Sequence, residues 1–489
     1  MDRTVKQFQQ PRAAASTAHP AATDAALRVM DSGGNAVDAA IAAQAVICVV
    51  MPDAAGLGGD VMQLVRMPDH RVEALTGSGR SPAVAPDRWL SQGGSSVTVP
   101  GIVDGWCTAS ARWGRLPLAA ALAPAIEIAR ASRASSQLIA AREEQRARLD
   151  AHGASGWSLM RAQPGHWWHQ PELADILTSI ALDGRDAFYA GAAAQAIVDA
   201  TRHYGGSLSL DDLASHNSEV VDPVSIDWQD GALHVQPAPS QGVLLAMAAQ
   251  WLTRSTIDPA DREHALVEAT EAAFQFRDFA GRPPGRLLSE PLEIDLSVAQ
   301  HRAGPRGYLH TAGVAVADSE GWVVSSLVSV FDDFGSAVLV PELGFVLNNR
   351  AAGFTSGDNA PRASARPVHT LAPAMLSIGD TALGLATPGA DGQVQTILQV
   401  LSSLTAGAEG LRIAELDDAI ARPRWRSQDG GLLIEGDHPD RLNLGARGHR
   451  IETRLPGDAI FGAMVAAGTT GGAPFAAADH RRGVTKEVQ

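Results

Sequence analysis

Apolar residues recur at helical spacing along the first half of the chain. Residues 20 to 50 predict two helices separated by Asp31-Ser-Gly-Gly34, because paired glycines favour a helix stop, and Asn35 is placed to cap the second helix. A short strand is predicted at Val61 to Val65. Further helical patterns cover residues 116–150, 171–204, 209–215, 242–254 and 262–279, with strands and turns over 218–237.

The pattern changes after a Pro- and Gly-rich stretch at 281–307, which predicts a mobile surface segment. Residues 311–317 and 322–330 alternate between apolar and polar around a four-residue turn, which predicts a β-hairpin. Later strands are predicted at 336–340, 344–348, 373–378, 381–386 and near 432, 450 and 463, with a helix at 391–405. This order predicts an α+β fold with sheets packed between helix layers.

A glycine-rich loop, Pro52-Asp-Ala-Ala-Gly-Leu-Gly-Gly59, invites a dinucleotide-binding interpretation. That fingerprint follows a strand and opens a helix, whereas this loop follows a helix and precedes a strand. A tight backbone turn is therefore the favoured interpretation.

Composition narrows the functional classes. The 489 residues are 45% hydrophobic and 19% charged, as in ordinary globular proteins, and the formal charge of −15 argues against general nucleic-acid binding. The most apolar stretch, Ala36 to Met51, contains Asp38 and is too short for a membrane span, and the first residues contain no apolar leader. We therefore expect a cytoplasmic protein without a membrane segment.

Two cysteines, Cys48 and Cys107, do not make a disulfide framework, and Cys48 lies in an apolar run typical of a buried thiol. His264, His301 and His310 lack the spacing of metal ligands. The sequence thus predicts no metal and no cofactor. It also lacks the Gly-x-Ser-x-Gly elbow of α/β-hydrolases.

Thr311 begins the first strand of the predicted hairpin, directly after the Pro- and Gly-rich stretch. If its hydroxyl attacks the carbonyl of His310, the amide becomes an ester that water can hydrolyse. The freed α-amine would titrate near ~7.7–8.0 and could serve as general base for the same hydroxyl. Threonine is also common at strand starts, so a purely structural role is the alternative on spacing alone.

Motifs along both halves resemble those of gamma-glutamyltransferases. The first half contributes Gly33-Gly-Asn-Ala-Val-Asp-Ala-Ala40, Gly56-Leu-Gly-Gly59, Val99-Pro-Gly101, Phe188-Tyr-Ala-Gly191 and Pro237-Ala-Pro-Ser240, and the second Val316-Ala-Asp-Ser-Glu-Gly321, Phe334-Gly-Ser336, Gly344-Phe-Val-Leu-Asn-Asn349, Thr387-Pro-Gly389 and Pro423-Arg424. The resemblance runs from about residue 15 to residue 482. It implies an N-terminal-nucleophile (Ntn) hydrolase with an αββα sandwich, formed by both halves of an autocleaved precursor.

The resemblance also implies specific roles. Cleavage between His310 and Thr311 would give a helix-rich large subunit, 1–310, and a strand-rich small subunit, 311–489, assembled as a heterodimer or as a pair of heterodimers. Thr311 falls on the family's nucleophile and Ser329 on the hydroxyl residue that supports it. Gly389-Ala390 falls on the Gly-Gly pair whose backbone N–H groups form the oxyanion hole.

Residues that recognise a glutamyl group in the family are replaced here. The carboxylate-binding arginine falls at Ser78, the amine-binding aspartate falls within Ala351-Ala-Gly353, and paired serines are replaced by His369-Thr370. Arg80 or Arg350 could instead hold a substrate carboxylate, although each could equally form a structural salt bridge. Of the remaining candidate pocket residues, His369 and Asp391 have structural alternatives, as a buried histidine and as a helix N-terminal acid.

The motif versions Gly79-Arg-Ser-Pro82 and Asn348-Asn-Arg350 resemble the divergent branch that includes oxamate amidohydrolase and glutathione-hydrolase-like proteins. We therefore expect an enzyme that hydrolyses, or transfers, the acyl group of a small amide, with gamma-glutamyl compounds as the family's substrates and small-acid amides of the oxamate type as the alternative. Because Ala312 replaces the family's second threonine, an uncleaved, non-catalytic binding protein on the same scaffold is the further alternative.

Overall fold

The structure is a computed structural model that describes residues 11–302, 311–405 and 411–489. Its helices are α1 Pro20–Asp31, α2 Ala36–Val50, α3 Ile102–Trp113, α4 Leu118–Arg130, α5 Ser136–Ala151, α6 Pro171–Asp183, α7 Asp186–Tyr189, α8 Gly191–His203, α9 Leu210–Ala214, α10 Gly242–Arg254, α11 Arg262–Phe274, α12 Pro284–Leu288, α13 Gly392–Leu404, α14 Leu416–Ala421 and α15 Arg441–Ala446.

Its strands are β1 Ala13–Thr17, β2 Asp60–Arg66, β3 Val72–Gly77, β4 Ser132–Arg133, β5 Trp167–Trp168, β6 Glu219–Val221, β7 Val224–Trp228, β8 Gly231–Val235, β9 Ala312–Asp318, β10 Val323–Ser329, β11 Leu339–Val340, β12 Phe345–Val346, β13 Ala374–Ile378, β14 Thr381–Ala386, β15 Trp425–Gln428, β16 Gly431–Glu435, β17 Ile451–Arg454, β18 Val465–Thr470, β19 Ala473–Ala478 and β20 Thr485–Val488.

Two antiparallel sheets form the centre of the molecule. One has the strand order β20-β1-β9-β10-β2-β3-β6, and the other has the order β19-β18-β14-β13-β8-β7. Alternate residues of their facing strands, such as Leu327 and Met375, form a buried apolar layer between the sheets. Segments before and after residue 310 contribute strands to both sheets, so the two parts share one sandwich.

Helices cover the outer faces of the sandwich. The α1, α2, α3, α4 and α6 helices share an apolar cluster with the seven-stranded sheet, and α10, α11, α13 and α14 share one with the six-stranded sheet. The architecture is αββα, as the sequence predicted. Among the described helices, none combines the length and apolar content that a membrane span requires.

Most predicted elements form near their expected bounds. Asn35 caps α2 through a capping box, in which its side chain accepts from the Asp38 N–H while Asp38 accepts from the Asn35 N–H. The helical stretch predicted over 116–150 is divided into α4 and α5 by the short strand β4. The helix predicted over 262–279 ends at Phe274, and the mobile segment predicted over 281–307 contains α12 and lies partly outside the described residues.

The glycine-rich loop before β2 is a packing feature. A Cβ on Gly58 would lie 2.2 Å from the carbonyl oxygen of Val346, where Gly58 forms a parallel bridge with Leu347. Asn348 holds the loop by donating to the Gly58 carbonyl at 2.8 Å. This close approach explains why a glycine occupies position 58 in a tight backbone turn. The turn also positions Asp60, the first residue of β2.

Replacing Gly58 should therefore destabilise the fold. We expect Gly58→Ala to lower the free energy of unfolding by about 1–3 kcal/mol, the usual cost of overpacking, because backbone atoms must move to admit the methyl group. Gly56→Ala is the matched control, since a Cβ there would meet its first neighbour only at 3.8 Å. Urea unfolding of both variants measures the difference, and equal losses would contradict the explanation.

Candidate active site

Three polar side chains form a row across neighbouring strands at one end of the sandwich. Ser329 pairs directly with Asp60, and the register that pairs Val328 with Ala312 places Thr311 beside Ser329. The chain neighbours of these three residues, Ala312, Val328 and Val61, belong to the apolar cluster under the helices. Because successive side chains of a strand point to opposite faces, the three polar side chains lie on the face between the sheets. The row is buried, with Thr311 only 5% exposed.

The Thr311 hydroxyl faces an oxygen that can accept its proton. Its Oγ1 lies 3.5 Å from Ser329 Oγ, a long contact that requires little movement to become a strong hydrogen bond. The Phe331 N–H donates to the same Ser329 oxygen at 2.9 Å and so fixes its position. Thr311 and Ser329, both selected from the sequence, therefore lie together.

A buried ionic cluster lies beside this row. Arg350 Nε donates to Asp60 Oδ2 at 2.8 Å, and His369 Nε2 donates to the same oxygen at 3.3 Å. The tautomer follows from the other ring nitrogen, because His369 Nδ1 accepts from the Leu371 N–H at 3.1 Å. Arg350 and His369, both predicted pocket residues, thus converge on an acid that the sequence analysis did not select.

Burial and charge set the protonation states of this cluster. Burial alone would raise the pKa of Asp60, but the charge of Arg350 and the contacts with His369 outweigh it and lower that pKa. Burial, followed by the charge of Arg350, lowers the pKa of His369 to about 4. At neutral pH the cluster is therefore an aspartate, an arginine cation and a neutral histidine.

Part of the Arg350 guanidinium is available to a ligand. Its two terminal nitrogens are buried and have no hydrogen-bond partner in the part of the chain that the structure describes, and Asp60 Oδ1 is in the same situation. The guanidinium carbon lies 4.6 Å from the ring centroid of Phe331, so the guanidinium packs over the face of that ring in a cation–π contact. A buried, half-satisfied arginine fork has the geometry to bind a carboxylate.

The predicted oxyanion turn follows β14, whose end lies against the start of β9. A Cβ on Gly313 would be 3.5 Å from the Cβ of Ala386. Gly389 and Ala390 have φ values of 126° and 50°, and within the described ranges neither of their N–H groups is engaged in a hydrogen bond. Gln241 Nε2 holds the turn by donating to the Ala390 carbonyl at 2.9 Å and the Thr370 carbonyl at 2.8 Å.

The remaining predicted residues have different positions. Thr370 is buried next to His369 and is tied to the oxyanion turn through Gln241. Asp391 precedes α13 and forms a buried ion pair with Arg277 at 3.1 Å, in keeping with its structural alternative. Its carboxylate therefore helps to hold the turn beside Ala390.

Arg80 lies apart from this cluster. Its side chain is 55% exposed, its NH2 nitrogen lies 3.7 Å from Glu219, and its NH1 nitrogen donates to the Ser364 carbonyl. No hydrogen bond or ion pair of the described residues joins it to Thr311, Asp60 or Arg350. His310, the other residue of the predicted cleavage site, lies outside the described residues.

Sequence analysis missed Asp60, Gln241 and Arg277. Asp60 has a recognisable feature, since it is a buried acid at the start of a strand and directly follows the glycine-rich loop. No recognisable feature of the sequence marks Gln241 or Arg277, because their partners Ala390 and Asp391 lie 149 and 114 residues away.

Comparison with known proteins identifies the family. The family model described as gamma-glutamyltranspeptidase matches residues 22–488, nearly the whole chain. The chain belongs to the gamma-glutamyltranspeptidase family. This family of hydrolases and transferases was expected from the sequence motifs, and the expectation is confirmed.

Two relatives are named as proenzymes, and a solved structure has the same fold. A glutathione hydrolase-like YwrD proenzyme of Bacillus subtilis is 33% identical, with 92% of this chain and 93% of the relative covered. An oxamate amidohydrolase proenzyme of Klebsiella pneumoniae is 32% identical, with 83% of each covered. The crystal structure of a cephalosporin acylase from Bacillus halodurans superposes with a TM-score of 0.86 at 26% identity, covering 100% of this chain and 99% of the acylase. The Ntn-hydrolase fold is thus confirmed.

The depressed pKa of His369 predicts a pH dependence of stability. Its pKa is about 4 in the folded chain and about 6.5 when unfolded, so between these values the unfolded state binds more protons. Stability contributed by the neutral ring is complete above pH 6.5 and is lost as pH falls towards 4, with a slope of up to about 1.4 kcal/mol per pH unit.

His369→Gln should reduce that slope, because the amide cannot take up the proton. His166→Gln, at an exposed position, is the control and should unfold with the pH dependence of the unmodified chain. Urea unfolding across the window measures both variants. A slope that is the same in His369→Gln and the parent would exclude His369 as the titrating group.

Proposed function

We propose that this chain is a self-cleaving amide hydrolase with Thr311 as its nucleophile. The observation that carries the proposal is the position of the Thr311 hydroxyl, at a strand start and 3.5 Å from Ser329 Oγ. The family membership and the relatives named as proenzymes support it. So does the turn at Gly389 and Ala390, whose two N–H groups make no hydrogen bond with the part of the chain that the structure describes.

Maturation would be an acyl shift followed by hydrolysis. As Thr311 Oγ1 attacks the carbonyl carbon of His310, its proton passes through the Ser329 hydroxyl to the Thr311 nitrogen, the C–N bond breaks, and an ester forms. Water then hydrolyses the ester, leaving a carboxylate on His310 and a free α-amine on Thr311. The products are segments 1–310 and 311–489, which stay together because both contribute strands to both sheets.

Turnover would use the same hydroxyl with its new base. The α-amine of Thr311 takes the hydroxyl proton as the oxygen attacks the substrate amide. The N–H groups of Gly389 and Ala390 would stabilise the oxyanion, where one donor is typically worth ~2.7–4 kcal/mol. The amine leaves with a proton, and water or an acceptor amine releases the acyl group.

The substrate is a small amide whose acyl part has a carboxylate. Arg350 offers two terminal nitrogens, without a hydrogen-bond partner among the described residues, for a bidentate carboxylate contact. Asp60, which Arg350 contacts, lies two strands from Thr311, or about 10 Å at the usual strand spacing. That separation suits an acyl group only a few bonds long, and the oxamate amidohydrolase relative supports this class.

Two other functions are weighed against this one. Gamma-glutamyl compounds are the family's namesake substrates, but Ser78 and Ala352 stand where charged groups would bind the glutamyl headgroup. An uncleaved binding protein would use the same Arg350 pocket without chemistry. The relatives named as proenzymes favour the enzyme.

Thr311→Ala should abolish cleavage, because no hydroxyl remains to attack His310. Thr311→Ser is the matched variant, since it keeps the hydroxyl and should still divide the chain, at a different rate. Intact mass spectrometry and N-terminal sequencing follow the products. An unmodified chain that stays whole on incubation, or a Thr311→Ala chain that divides at the same bond, would refute the mechanism.

Arg350→Lys should weaken selection of carboxylated substrates, because lysine keeps the charge beside Asp60 but loses the fork. We expect kcat/KM for a small carboxylated amide to fall by about tenfold or more, and that for the uncharged analogue to change little. Arg80→Lys is the control and should leave the ratio unchanged. The opposite pattern would assign carboxylate recognition to Arg80, and robust turnover of gamma-glutamyl-p-nitroanilide would contradict the substrate class.

A further inference from the structure

A second cluster of polar side chains lies on the outer side of the six-stranded sheet, away from Thr311. His264 and Glu268 are one turn apart on α11, and His449 precedes β17. All three are buried, and His264 Nδ1 lies 2.8 Å from His449 Nε2. One ligand atom from each residue lies within 4.8 Å of the others, so that small side-chain movements would bring all three onto a single ion.

His301 lies at the edge of the same cluster. Its ring centroid is 6.4 Å from that of His449. Its backbone has a φ of 50°, a left-handed conformation that is uncommon for a residue with a side chain. His301 thus brings a third histidine close to the two histidines and one carboxylate of the cluster, and together they are a donor set that suits zinc.

The two histidine rings of the cluster are oriented towards each other. The buried Nε2 of His264 makes no well-formed hydrogen bond with a described residue, although the Leu296 backbone lies close to the ring. The nitrogen of this ring that faces the cluster is Nδ1, which lies 2.8 Å from His449 Nε2.

Glu268 is oriented by groups outside the cluster. The Gln300 N–H donates to Oε1 at 3.1 Å, and Arg302 NH1 donates to Oε2 at 2.8 Å. Each carboxylate oxygen has a second lone pair, so these contacts leave room for a metal bond. Hydrogen bonds of this kind are the usual support of a metal-binding carboxylate.

We propose that His264, Glu268 and His449 bind a divalent metal ion, zinc by preference, with His301 as the fourth ligand. A buried site with four protein ligands is structural rather than catalytic. Three ligands precede Thr311 and one follows it, so the ion would also join the two segments of a cleaved chain. Metal binding itself does not depend on cleavage or on the proposed reaction.

Zinc titration of the chelator-treated full chain tests the proposal. We expect one Zn²⁺ per chain by isothermal titration calorimetry and a rise in Tm on adding Zn²⁺. His449→Gln should lose both effects. His438→Gln is the matched control, because His438 and His449 are both 7% exposed and only His449 belongs to the cluster.

Cobalt provides a readout that needs no variant. Co²⁺ bound to the unmodified chain should give the intense visible absorption of a four-coordinate site, and Zn²⁺ should displace it. Absence of stoichiometric Zn²⁺ binding, a Co²⁺ spectrum like that of the hydrated ion, or equal zinc affinity in His449→Gln and the parent would each overturn the site. None of these outcomes bears on Thr311, so the site and the proposed function fail separately.

Discussion

Cross-strand register in the seven-stranded sheet is the constraint on which the candidate site depends. Thr311, Ser329 and Asp60 share one face only because β9, β10 and β2 pair as they do. A slip of one residue would turn a side chain to the helix-covered face, among Val314, Val328 and their neighbours. The apolar layer between the sheets makes such a slip costly, and the hydrophobic core thereby positions the polar row.

The same layer sets the energetics of the Asp60–Arg350 pair. Both side chains are fully buried, so their attraction must offset a large desolvation cost, and the pair is weak support for stability. Three of its polar atoms are still unsatisfied among the described residues. A carboxylated substrate would accept hydrogen bonds from the two Arg350 nitrogens, and its binding would thereby satisfy buried polar atoms of this cluster.

Support for the turn at Gly389 and Ala390 comes from outside the seven-stranded sheet. Gln241 joins the turn to the segment at Thr370, and the Arg277–Asp391 pair fixes the residue after Ala390. Both Gln241 and Arg277 precede the predicted cleavage site. Residues of segment 1–310 therefore hold in place the turn that segment 311–489 contributes. The candidate site needs both segments to be complete.

Local pattern in the sequence was sufficient for most of the elements and for the position of Thr311 next to the first strand of the hairpin. Alternation around Asp318-Ser-Glu-Gly321 predicted the β9–β10 hairpin, and Asn35 predicted the start of α2, because turns and caps are made by neighbouring residues. The resemblance to the family predicted in addition the positions of Ser329 and of the turn at Gly389, and it also predicted the αββα fold.

Only the tertiary structure decided which polar groups meet. Asp60 and Arg350 are 290 residues apart, and no local pattern distinguishes the buried Arg350 from the exposed Arg80. His264 and Glu268 had a helical spacing that could have been noticed, but their partner His449 lies 185 residues beyond His264. Burial and charge pairing depend on how the layers pack, and packing brings together residues that the sequence keeps far apart.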